Sequence, residues 1–237
     1  MKSTEGVHNS DLLASQQRLI KGSSYKNLST VILCPTRGGR SLTPKWVSSI
    51  LGLMRPMNQM CVGPIFIEGM EVGQAYNAGI EMILANPQLR DFKYVLTLED
   101  DVLPPPDGLI KLYECMKNFD VAGALYWTKG EGGMAMCYGS VHDIPLSFAP
   151  QLPIANTMQE CRGLGMGFNL FKLDMFKDER IEKPWFKTLQ EWDEQKGGKG
   201  YTQDLYFYEK AGKVGYKFCC YTSVKAGHFD DSANMIW

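Results

Sequence analysis

The chain has 237 residues, 44% of them hydrophobic and 22% charged, a globular composition at a length that buries a sizeable core without disulfide or metal staples. With 25 Lys and Arg against 26 Asp and Glu the net charge is −1, which leaves no basic footprint for nucleic acid and no polybasic membrane anchor. No apolar run approaches the ~20 residues that span a bilayer, and Met1 to Asn27 lacks the apolar stretch and cleavage site of a secretory signal. Seven cysteines, odd in number and with no C-x-x-C pair, read as reduced core thiols. A cytoplasmic protein with no membrane span and no nucleic-acid partner is expected.

Residues 1–28 are polar and rich in Ser, Lys and Asn, and are expected as an N-terminal extension, partly disordered or helical. Residues 29–237 then read as one α/β domain, its first half (29–127) doubly wound and its second half (128–237) mixed. The apolar run Thr30 to Cys34 predicts a buried strand that feeds the loop Pro35-Thr-Arg-Gly-Gly39. Thr43 and Pro44 predict a helix start, with Trp46, Val47, Ile50, Leu51 and Met54 at helical spacing. Gly63 to Ile67 predicts a second strand, followed by a helix from about Val72 to Ala85. Tyr94 to Leu98 predicts a third strand, closed by Glu99-Asp-Asp101, and Pro104 to Asp107 leads into a helix bearing Leu109, Leu112, Tyr113 and Met116. A fourth strand is expected from Asp120 to Tyr126. Strands alternating with helices imply a largely parallel sheet covered on both faces.

After Trp127 the alternation weakens. Gly130 to Gly133 predicts a flexible turn, Val141 to Ile154 a proline-punctuated loop, and Phe168 to Phe171 a strand that runs into a short helix. Lys196 to Gly200 predicts a mobile loop, Leu205 to Val214 a helix, and Tyr216 to Tyr221 a final strand.

The strongest chemical signal is Glu99-Asp100-Asp101. Ligands of doubly wound sheets bind at the carboxyl ends of the strands, where this cluster falls. Glu99 and Asp101 alternate, and two hard oxygen ligands at that spacing suit Mg²⁺ or Mn²⁺ bound with substrate phosphates. The plain alternative is a solvated acidic loop that caps the next helix. Pro35, Thr36 and Arg37 end the first strand beside two glycines that admit a ligand close to the backbone. Neither a Walker loop nor a G-x-G-x-x-G fingerprint is present, and no G-x-S-x-G elbow supports a serine hydrolase. His228 follows the last strand, and Asp204 opens a helix, where its ordinary role is an N-cap.

Taken in order, these motifs resemble the GT-A fold nucleotide-sugar glycosyltransferases, family 2-like members especially. Val31 to Arg37 resembles their first strand and nucleotide loop, Gly73 to Ile80 their following helix, and Tyr94 to Asp101 their strand and D-x-D segment, here with Glu99 at its first position. Gly165 to Phe171 resembles the acceptor-side strand, and Gln203-Asp204 through His228 the catalytic helix and terminal metal-site histidine. The resemblance implies an α/β fold, a single GT-A (Rossmann-like) domain whose central, mostly parallel mixed sheet is flanked by helices. It implies transfer of a sugar from a nucleoside diphosphate sugar, UDP-linked by family habit, to a carbohydrate or other hydroxyl acceptor, with 29–127 as the nucleotide-binding half and 128–237 as the acceptor-side half. Asp204 is the implied catalytic base. Pro35, Thr36, Arg37, Glu68, Asn77, Glu99 and Asp100 are the implied donor-binding residues, and Glu99, Asp101 and His228 the implied ligands of Mn²⁺ or Mg²⁺. A nucleotidyltransferase and a catalytically inert nucleotide- or sugar-binding module are the alternatives.

Overall fold

The structure, a computed structural model, describes residues 27–36, 38, 41–140, 142, 148–193 and 197–237. The residues of the proposed extension before 27, with Arg37 and Lys196, lie outside the described set. The first strand, β1 (Thr30–Thr36), is buried throughout, as its β-branched and apolar side chains require when both faces are covered. Thr43 then accepts a hydrogen bond from the Trp46 N–H and Pro44 fills the first helical position, so α1 (Pro44–Gly52) begins where the sequence predicts. β2 (Cys61–Glu68) leads to α2 (Val72–Ala85), capped by the Glu71 carboxylate, which accepts from the Gln74 N–H. β3 (Tyr94–Leu98) is wholly buried, and the two-residue β4 (Val102–Leu103) follows the acidic cluster. α3 (Gly108–Cys115) starts without a side-chain cap, because Asp107 is paired with Lys111 at 2.7 Å.

In the second half, β5 (Val121–Leu125) is followed by the short β6 (Cys137–Tyr138), β7 (Met158–Cys161) and β8 (Gly163–Leu164). β9 (Phe168–Lys172) runs into a 3₁₀ turn at Leu173–Lys177. β10 (Leu189–Asp193) and β11 (Gly197–Tyr201) pair antiparallel as a hairpin, so the loop expected at Lys196 to Gly200 is, from Gly197 onward, a strand. The reason is physical: a glycine-rich segment has no side-chain pattern of its own, and its backbone bonds come from the partner strand. α4 (Gln203–Lys213) starts two residues earlier than the sequence suggests. β12 (Phe218–Lys225) is longer than expected, and β13 (Gly227–Asp230) and β14 (Met235–Ile236) close the chain.

Seven strands form the central sheet in the order β2-β1-β3-β9-β5-β12-β7. β1 is parallel to β2 and β3, and β5 to β12, while β9 and β7 run antiparallel to their neighbours. The sheet is therefore mixed, with most strands pointing one way, and it draws strands from both halves of the chain. Side chains alternate between two cores. Val31, Leu33 and Phe171 pack with Tyr76 and Ile80 of α2 and Phe207 of α4. Ile32, Cys34 and Leu170 pack on the other face with Trp46 of α1 and Leu109 and Leu112 of α3. Among the described residues no helix is long and apolar enough to cross a membrane.

Candidate functional site

The chain leaves β1 for β2 on one side and then returns, through α2, to place β3 on the other side of β1. Neighbouring connections diverge there, and a crevice opens beyond the carboxyl ends of β1 and β3. A cleft of about 380 Å³ occupies it. Pro35 and Thr36 line it from β1, and Glu99, Asp100 and Asp101 line it from the turn after β3. Met70, Glu71 and Val72 enter at the start of α2, and Gln203 at the start of α4.

The three carboxylates have separate environments. Asp100 accepts a hydrogen bond from the Thr36 hydroxyl at 2.7 Å, tying the two strand ends together. Glu99 accepts from the Tyr76 hydroxyl at 3.1 Å, while its backbone carbonyl accepts from the Trp46 indole N–H at 2.9 Å. Burial pushes the Glu99 carboxyl up to about 8, aided by the nearby charges of Asp101 and Asp204 and opposed by the Tyr76 hydrogen bond. Burial also acts to raise Asp101, but hydrogen bonds and charge from His228 and Lys129 prevail and hold it at about 2. The Lys129 ammonium lies 2.6 Å from Asp101 Oδ2, and His228 Nε2 lies 3.6 Å from it. The register of β13 against β4 sets His228 opposite Val102, and the Phe229 N–H donates to the Asp101 carbonyl at 2.7 Å. His228 Nδ1 sits 2.7 Å from the Trp127 carbonyl, an acceptor only, so Nδ1 carries the hydrogen there.

Mn²⁺ or Mg²⁺ requires several converging hard ligands. Asp101 and His228 do meet, but the Glu99 carboxylate is engaged by Tyr76, and the positive charge against Asp101 is Lys129. Among the described residues no group of three His, Cys, Asp or Glu side chains is arranged to hold a metal ion. The expected set Glu99, Asp101 and His228 therefore does not fit a three-ligand centre. The sequence argument placed Glu99 and Asp101 side by side on the premise of extended backbone, but the strand ends at Leu98 and Asp100 and Asp101 lie in a turn.

Two further assignments change. Asn77 is not in the cleft: its amide NH₂ donates to the Gly73 and Phe186 carbonyls, both at 2.7 Å, and its oxygen accepts from the Trp185 and Phe186 N–H groups at 2.9 and 3.2 Å. It clamps the Trp185-Phe186 turn to α2. Glu68 pairs in register with Thr36 at the exposed end of β2, and the glutamate that lines the cleft is Glu71. Asp204 stands at the second position of α4, with Thr202 as the cap residue; it is only 6% exposed, and the residue of that turn that lines the cleft is Gln203. Burial raises its carboxyl, against hydrogen bonds from Thr202 and Leu205 that lower it. Sequence reasoning missed Glu71, Gln203 and Lys129. Lys129 had one legible signal, its place in the glycine-rich turn after the fourth strand.

The sequence matches no family model and no curated protein. Among solved structures the chain is similar to A197 from STIV, at 18% identity and a TM-score of 0.59, with 88% of this chain and 92% of that chain covered. It is also similar to S. aureus TarS 1-349 in complex with UDP-GlcNAc, at 10% identity and a TM-score of 0.49, covering 84% of this chain and 57% of that chain. With S. aureus TarS the identity is 11% and the TM-score 0.47, covering 84% of this chain and 36% of that chain. At such identities likeness speaks to fold. The expected α/β architecture, with helices on both faces of a mostly parallel mixed sheet, is the one observed.

Proposed function

We propose that this chain is a glycosyltransferase that moves a sugar from a nucleoside diphosphate sugar to a hydroxyl on a carbohydrate or other acceptor. The observation that carries the reading is the polar cleft at the divergence of β1 and β3, where sheets of this kind bind nucleotides. Fold alone would not support it, because one fold hosts many chemistries. In this reading Pro35 and Thr36 flank the nucleoside, and Asp100 holds Thr36 in place. Asp204 is assigned as general base toward the acceptor hydroxyl. A carboxylate raised by burial is a stronger base than a solvated one, which suits it to accept a proton near neutral pH. The uridine preference and the role of Arg37 rest on the family resemblance. All seven cysteines are free, which supports a reducing, cytoplasmic setting.

The test is release of free nucleoside diphosphate from a panel of UDP-, GDP- and CDP-sugars, with thermal shifts by the corresponding diphosphates. The expected result is acceptor-stimulated release of UDP and stabilisation by UDP above the others. Binding without release in the presence of any acceptor would point to an inert binding module. Release of pyrophosphate from a nucleoside triphosphate would point to a nucleotidyltransferase.

A further inference from the structure

The turn between β5 and β6, which carries Lys129, has no chemical role in the reading above. Its base is closed by the bridge between Trp127 and Ala135, by the Thr128 N–H donating to the Met134 carbonyl, and by the Met134 N–H donating to the Thr128 hydroxyl, each at 2.9 Å. Gly130 and Gly132 have φ of 101° and 74°, the left-handed region that glycine enters without a steric penalty. A Cβ at Gly133 would stand 2.6 Å from the Thr128 carbonyl oxygen. The tight loop carries one cation, Lys129, whose ammonium meets the cleft-lining Asp101 at 2.6 Å. Its side chain is 31% exposed and that of Asp101 26%, so the pair lies at the surface of the site rather than sealed in the core.

Resting on the donor reading above, we propose that Lys129 supplies the positive charge facing the donor diphosphate, in the place where a divalent cation would otherwise stand. Asp101 and His228 then act as positioning residues for the ammonium. A lysine ammonium carries three N–H donors, so it can hold Asp101 and phosphate oxygens together. It is a compact point charge suited to phosphate, and it lets charge build on the leaving diphosphate without a metal. Asp101, the carboxylate that meets His228, is already paired with the ammonium, and Glu99 accepts the Tyr76 hydroxyl through one oxygen.

The test is calorimetric titration of UDP and UMP, each with EDTA and with Mn²⁺, on the wild type, Lys129→Gln and Lys129→Arg, together with titration of Mn²⁺ alone. GDP or CDP replaces UDP should the thermal shifts select another base. The wild type is expected to bind UDP in EDTA, with Mn²⁺ changing the affinity by less than about threefold. Lys129→Gln should lose about 10- to 100-fold for UDP, the usual worth of a hydrogen bond to a charged group, with a smaller loss for UMP. Lys129→Arg should retain most of the affinity, and Lys129→Gln should bind Mn²⁺ alone more tightly than the wild type as Asp101 is released. UDP binding that requires Mn²⁺ in the wild type, or equal UDP affinity in EDTA for the wild type and Lys129→Gln, overturns the assignment while leaving the donor reading intact. Failure of every nucleotide to bind under both conditions overturns the donor reading, and this assignment with it.

Discussion

Asn77 uses its whole amide within the protein, two donors and one oxygen shared among four backbone groups. Removing it leaves those groups without their partner, and an unsatisfied buried polar group costs about 1–3 kcal/mol. Asn77→Ala should therefore lower unfolding stability by about 2 kcal/mol or more by that measure, read by urea denaturation, with UDP affinity kept at temperatures where the variant is folded. A specific loss of affinity at unchanged stability would restore the donor-binding role. Asp204 is the opposite case, a buried carboxylate with a chemical assignment. Asp204→Asn should keep donor binding and lower transfer about 10²–10⁴-fold, the typical worth of a general base. The same variant reads the raised carboxyl through stability. The folded state keeps the Asp204 proton to higher pH than the unfolded chain does, so between the two values the folded state binds more protons and stability falls as pH rises. The amide has no proton to lose. The melting temperature of Asp204→Asn relative to wild type should thus rise from pH 4 toward neutrality, and a flat difference would mean that the carboxyl is not raised.

At the scale of elements, the strands that the sequence announces are those with unbroken β-branched or apolar runs, such as Thr30 to Leu33 and Tyr94 to Leu98. β7 reads Met-Gln-Glu-Cys and β11 Gly-Gly-Lys-Gly-Tyr, neither with a pattern that declares a strand, and both exist because a neighbour supplies backbone bonds. The direction of β9 was equally illegible, since a run buried on both faces looks the same whichever way it points. In the site, Pro35 and Thr36 were legible because they end a buried strand, and Asp100 and Asp101 because they follow one within three residues. The partners of Asn77, Glu99 and Asp101 were not, because Phe186, Tyr76 and Lys129 reach them only through the packed fold. The seam between β5 and β9 gives a direct test of that packing. Gly123 pairs with Asn169, and a Cβ at Gly123 would run into Asn169 Oδ1 and stand 2.9 Å from Leu164 Cδ1. Asn169 is fully buried and held by its amide to the Gly165 carbonyl and the Tyr208 hydroxyl at 2.7 and 3.1 Å, so it yields poorly. Gly123→Ala should destabilise by about 1–3 kcal/mol, the usual cost of overpacking, measured by chemical denaturation. A neutral result would show that Asn169 can move aside.

For the whole molecule, cavity size does not locate the site. A second cavity of about 430 Å³ is larger, but it lies against Tyr216, Lys217 and Phe218 at the entrance of β12 and against Gly212 and Lys213 at the end of α4. Strand entrances are the wrong edge for a nucleotide in this architecture. Hydrogen exchange with UDP present should slow at Thr36 and 99–103 and stay unchanged at 215–218, and the reverse pattern would move the donor to the second cavity. The antiparallel β9 has a consequence for biosynthesis. It is inserted between β3 and β5 although both precede it in the chain, and β5 has only β9 and β12 as sheet neighbours. During translation β3 therefore emerges with an open edge and β5 with none of its partners, an invitation to pair with another nascent chain until β9 arrives. The cleft is assembled from residues on both sides of that insertion, from Pro35 to Gln203. A ribosome stalled before β9 would thus display an aggregation-prone half-sheet, and the nucleotide site is completed only when α4 has been made.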